Sequence, residues 1–168
     1  MGGDFEGGHA STGASDFDFI IGDWDVHLKK LIGPLTGSTV WVECEGTSKI
    51  RKMWGTSANS EEFEVHNAAQ DLHIKGQTLR LYNPDTRQWS IYLVNADKGV
   101  LSLPPVVGKF TNGVGEFYDQ EDFKGKAIFV RYVWRALSPN ATRMEQSFSE
   151  DGGKTWEVNW ICSMARRP

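Results

Sequence analysis

The chain has 168 residues, a formal net charge of −4 and a sequence pI near 5.6. That length holds one domain with a real core but not two comfortable ones. The acidic balance, with 18 Lys and Arg scattered along the chain, excludes the broad basic face that nucleic acid requires.

Seven Trp, nine Phe and four Tyr favour strands over helices, and 18 Gly and six Pro supply turns. No window reads as a long amphipathic helix, and no apolar run approaches the ~20 residues of a membrane span. Residues 1–15 are Gly, Ser, Ala and charge, so a disordered tail is expected there, ahead of a single barrel domain over 16–168. The tail has no basic start or apolar stretch of a signal peptide and no myristoylation pattern. The expected location is therefore cytoplasmic, with Cys44 and Cys162 as free thiols.

Residues 16–31 organise the rest of the chain. Phe17, Phe19, Ile20 and Ile21 form an apolar cluster, the chain turns at Gly22, and Trp24 precedes an alternating stretch. Val26 and Leu28 fall on one face, and Asp25, His27 and Lys29 on the other, which is the two-residue period of a half-buried strand. Gly22-Asp23-Trp24 resembles the Gly-x-Trp that opens the first strand of lipocalin-like barrels. Trp24 would then plug one end of the sheet, after a short helical turn.

Further strands are expected over 38–46, weakly over 49–54, and over 62–66, with a loop over 67–73. Residues 78–82 and 88–94 form a hairpin around Asn83-Pro84-Asp85-Thr86-Arg87. Pro104-Pro105 makes 101–108 an edge or a loop. Strands over 114–118 and 127–135 are followed by a last hairpin pairing 143–148 with 155–164. About nine or ten strands joined by short turns indicate an all-β, single antiparallel up-and-down β-barrel, with a sandwich as the structural rival.

Residues 149–156, Ser-Glu-Asp-Gly-Gly-Lys-Thr-Trp, match the Asp-box pattern. Its physical content is a turn in which the Asp side chain accepts backbone N–H groups and glycines adopt positive φ. Sialidase propellers carry several such boxes. One copy in a chain this short is read as a structural hairpin.

A hairpin centred on Gly152 sets Gln146 opposite Val158 and Met144 opposite Trp160. A turn at Ser138-Pro139-Asn140 sets Trp134 near Met144 and Tyr132 near Gln146. One face then carries Tyr132, Trp134, Met144, Gln146, Trp156, Val158 and Trp160. If it lines a cavity, Tyr132, Trp134, Gln146 and Trp160 are the ligand-binding candidates, aromatic walls with a few polar handles. If it is plain core, Gln146 is satisfied by its neighbours. The alternative inward face carries Arg131, Glu145 and Asn159, a buried cluster that would need full pairing.

Four histidines, at 9, 27, 66 and 73, fit no zinc spacing, although His66, Asp71 and His73 flank one loop. The last third of the chain has no His, which argues against a haem barrel. No Ser-His-Asp order, nucleophile elbow or phosphate loop appears in a fitting context. No metal, cofactor or catalytic residue is assigned.

Several pieces together resemble the DUF1579 family of uncharacterised bacterial proteins. They are Phe17-Asp18-Phe19-Ile20-Ile21-Gly22-Asp23-Trp24, Pro104-Pro105-Val106-Val107-Gly108, Gly113-Val114-Gly115-Glu116-Phe117-Tyr118, the run 143–149, and the Asp-box hairpin through Asn159-Trp160. The resemblance implies a lipocalin-like (calycin) barrel and no particular reaction. The leading expectation is a non-enzymatic barrel that binds a small apolar or aromatic molecule in its interior. The alternatives are a lyase- or isomerase-type barrel enzyme using Glu145 with Arg131 or Tyr132, and a structural protein with no ligand. Neither nucleic acid nor membrane is an expected partner, and a homodimer stays open.

Overall fold

A computed structural model describes residues 13–168. The strands are β1 (Gly22–Leu31), β2 (Trp41–Lys52), β3 (Asn59–Asn67), β4 (Leu72–Asn83), β5 (Gln88–Asn95), β6 (Val100–Leu101), β7 (Val106–Thr111), β8 (Val114–Phe123), β9 (Lys126–Ser138), β10 (Ala141–Ser149) and β11 (Glu157–Arg166). Helical structure among the described residues is two single 3-10 turns, Asp18–Ile20 and Ala68–Gln70. Neighbours in sequence pair antiparallel from β1 to β5 and from β7 to β11. β5 pairs with β7, and β11 returns to β1, so ten strands close into one barrel. β6 hangs on β5 outside the ring. This is the up-and-down barrel that the alternation and turn spacing predict, with the short turn before β1.

The closure has a clear residue basis. The turn at 13–20 folds Phe17 into one end of the barrel, where it is fully buried. Its ring lies 4.8 Å from Phe110, 5.0 Å from Trp89, 5.4 Å from Phe117 and 5.9 Å from Trp134, mostly edge to face. Trp24 is 1% exposed and donates its indole N–H to the Ile20 carbonyl at 2.8 Å. Arg166, at the end of β11, lies 4.2 Å over the Trp24 ring and donates to the carbonyls of Ile21 and Phe19. Gly22 has φ +135°, and a Cβ there would meet the Arg166 guanidinium at 2.5 Å, so only glycine suits the corner.

Residues 1–12 of the expected tail lie outside the described residues. Gly13 to Ser15 belong to the plug turn, and the Gly13 carbonyl accepts the Trp89 indole N–H at 3.1 Å.

Three details differ from the sequence reading. Residues 41–52 form one continuous strand rather than a good and a weak one. The 67–73 loop shrinks to a 3-10 turn, with β4 starting at Leu72. Pro104-Pro105 ends just before β7, which then joins the barrel wall, because a proline preceding the first paired residue removes no ladder donor.

Candidate ligand cavity

A cavity of about 390 Å³ occupies the half of the barrel away from the plug. Its walls are apolar and aromatic, with Phe63, Ile74, Ile91, Leu93, Met144 and Trp160 among them. Its inner end carries polar groups from β3, β4 and β9. Glu61 and Arg80 form an ion pair there, 5% and 2% exposed. Arg80 also donates to Asn59 at 3.0 Å, and Glu61 accepts from the Ser48 hydroxyl at 2.8 Å. The Arg80 guanidinium is held between two rings, 5.4 Å from the Phe17 centroid and 5.1 Å from that of Trp134.

The four ligand candidates of the inward face, Tyr132, Trp134, Gln146 and Trp160, all line this cavity. The β9–β10 register matches expectation, with Met144 opposite Trp134 and Gln146 opposite Tyr132. The β10–β11 register does not. Gln146 faces Trp160 and Met144 faces Cys162, a two-residue shift from the expected pairs.

Two local features cause the shift. The Asp box keeps Ser149 as the last residue of β10 and spends 150–156 on the loop, and the ladder slips between Gln146 and Ser147. Asp151 accepts the Thr155 N–H at 2.9 Å and the Ser149 and Thr155 hydroxyls, which hold its carboxyl down at about 2. Trp156 thus leaves the inner face. It packs outside, where Arg131 lies 4.4 Å over its ring and Tyr118 is 6.1 Å away.

The alternative face is not gathered. Arg131 stacks on Trp156, and Glu145 pairs with Arg143 at 2.7 Å. Asn159 is buried, and its side-chain carbonyl accepts from Gln146 at 2.8 Å. Because Gln146 is opposite Tyr132, Glu145 falls on the other side of the wall from Tyr132. The acid–base set of Glu145 with Tyr132 therefore shares no common site.

His66 and His73 are paired across β3 and β4, and His73 meets Glu64 at 2.8 Å. Among the described residues, no three His, Cys, Asp or Glu side chains are grouped for a metal. No described helix is long and apolar enough to cross a membrane.

Sequence reasoning missed Glu61, Arg80 and Cys162 as cavity residues. A signal existed for Glu61, since it is two residues before Phe63 and four before Val65 and so shares their face. Burial raises the Cys162 thiol well above its ordinary range, with Glu61 adding to the effect, which keeps it protonated. Burial likewise raises the Tyr132 phenol, helped by Glu121 and Asp119 and opposed by Arg80. Tyr132 is thus a neutral hydrogen-bonding group at every physiological pH.

No family model matches the sequence, and no curated protein matches it. Among solved structures, the chain is similar to the S-type phycobiliprotein lyase CPES from Guillardia theta. The two are 13% identical over 90% of each chain, with a TM-score of 0.59. The shared feature is the fold, and the class is a lipocalin-like, calycin-type antiparallel barrel.

Proposed function

We propose that this barrel binds a small, largely apolar or aromatic molecule in its interior. The observation that carries the reading is the aromatic-walled cavity of about 390 Å³ closed at one end by the Phe17–Trp24 plug. A size of a few hundred Å³, apolar walls and a few placed polar groups are the general attributes of a small-molecule site. Similarity to a phycobiliprotein lyase fold is consistent with a barrel that holds a ligand, although fold alone names no ligand. The motif run from Phe17 to the Asp box supports placing the chain with the DUF1579 proteins. The two buried free thiols suit a reducing, cytoplasmic setting.

The test is a titration with N-phenyl-1-naphthylamine, a neutral fluorophore that brightens in apolar surroundings. Gly76 lines the cavity, has no positive φ, and a Cβ there meets only Phe63 at an ordinary 3.9 Å. Gly76→Leu therefore fills the space without backbone strain. The parent should bind one probe saturably, with energy transfer from tryptophan, and Gly76→Leu should lose at least tenfold in affinity while melting like the parent. No saturable binding by the parent, or equal binding by a folded Gly76→Leu, would remove the interior as the site.

A further inference from the structure

The cavity floor has hydrogen-bond donors to spare but no spare positive charge. Arg80 carries five N–H groups, and two hydrogen bonds are made, to Asn59 and Glu61. Its Nε and the Trp134 indole nitrogen are buried without any hydrogen-bond partner among the described residues. Tyr132, 5% exposed and on the cavity wall, makes no hydrogen bond through its hydroxyl within the described protein. A fully partnered core would leave few such groups. The charge of Arg80 is already matched by Glu61, which it contacts directly. Further round the wall, Asp119 on β8 is buried one pairing step from Tyr132, since Phe117 faces Tyr132 and Asp119 faces Val130. An anion brought to this floor would meet two carboxylates and a cation already taken, in a low-dielectric setting.

We propose that the Arg80–Tyr132 floor selects, among apolar ring molecules, those that carry one uncharged carbonyl oxygen at their inner end. This rests on the reading of the interior as a binding site and specifies the ligand class for it. The oxygen accepts from the Tyr132 hydroxyl and the free edge of the Arg80 guanidinium, and the rings lie between Trp160, Met144 and Ile91. A carbonyl fits where a carboxylate does not, because it uses the spare donors without bringing a charge.

Three probes of one shape test this: 2-ethylnaphthalene, 2-acetylnaphthalene and 2-naphthoate, each titrated by tryptophan quenching against the parent and Tyr132→Phe. The Tyr132 hydroxyl serves no partner among the described residues, so Tyr132→Phe should melt at or above the parent. Its affinity for the ketone should fall about tenfold, roughly 1.4 kcal/mol, with the hydrocarbon unchanged. In the parent, naphthoate should bind more weakly than the ketone. Ketone affinity that is the same in Tyr132→Phe, tightest binding by naphthoate, or a marked drop in melting temperature each overturns the selection. If the parent binds the hydrocarbon but shows no carbonyl dependence, only this inference falls. If it binds none of the three, the interior reading falls with it.

Discussion

The two ends of this barrel are built differently. At the plugged end, Phe17 touches four aromatic rings, and the polar groups of Trp24 and Arg166 are bonded to backbone carbonyls. Toward the open end, the β5–β7 seam stops after three pairs that begin at Trp89 beside the plug, and β8 has no β7 partner beyond Tyr118. Val100, Leu101 and Leu103 stand exposed beside that seam. The cavity occupies this looser half. One end therefore carries the cooperative core, and the other leaves room and local freedom around the cavity. Damage at the plug should cost the whole fold, whereas changes at the open end should stay local.

Trp24→Ala is the strongest way to break that contrast. Deleting a buried Trp costs about 3–5 kcal/mol, a large share of the roughly 5–15 kcal/mol by which a domain is stable. It would also leave the Arg166 guanidinium without its ring and the Ile20 carbonyl without its donor. The expected result is an unfolded or aggregating protein in a circular dichroism melt. A parent-like melt would show that closure does not depend on the plug.

The Glu61–Arg80 pair sits where the two halves meet, and its two variants sharpen the boundary. Glu61→Leu alone strands a buried guanidinium and should cost about 3–5 kcal/mol, close to the loss at the plug. Glu61→Leu with Arg80→Met removes both charges, and much of that loss should return, because apolar side chains of similar volume often replace a buried pair at little cost. Denaturation midpoints of the singles and the double give the coupling. Additive losses would mean that the two side chains do not act as a buried pair.

The plugged end was the more legible in the sequence, and the reason is physical. The apolar cluster at 17–21, Gly22 and Trp24 are neighbours along the chain, so local pattern alone carries them. The β9–β10 register was also readable, because the short turn at Ser138-Pro139-Asn140 sets it. The cavity floor is assembled from β2, β3, β4 and β9, which no local pattern joins. Arg80 looked like any strand charge, since Leu79 and Leu81 beside it offer an equally apolar face. The β10–β11 register failed at the bulge by Gln146, a one-residue irregularity that strict alternation does not anticipate. That same bulge brings Asn159 inside, where its carbonyl takes the Gln146 amide.

The smallest effect belongs to the open end and concerns pH. Asp119 and Glu121 lie two residues apart on the inner face of β8. Burial first, and then Asp119, push the Glu121 carboxyl up to about 7. A carboxyl raised on folding keeps a proton that the unfolded chain releases from pH 4.5 upward. The unfolded state then binds fewer protons, so this group lowers stability as pH rises from 4.5 to 7, with the loss complete above 7. Glu121→Gln removes the penalty. Variant and parent should melt together near pH 4 and diverge toward pH 8, where the variant melts higher. The carboxyl of Glu121 is partly desolvated but the residue as a whole is exposed, so solvent screening should hold the gain to a rise on the order of 1–3 °C. Asp151 titrates near 2, below this window, and the difference between parent and variant cancels the other groups. Asp119→Asn should give a smaller gain, because it removes the repelling charge but leaves the burial of Glu121 in place. A variant curve parallel to the parent's from pH 4 to 8 would show that neither burial nor Asp119 raises the Glu121 carboxyl on folding.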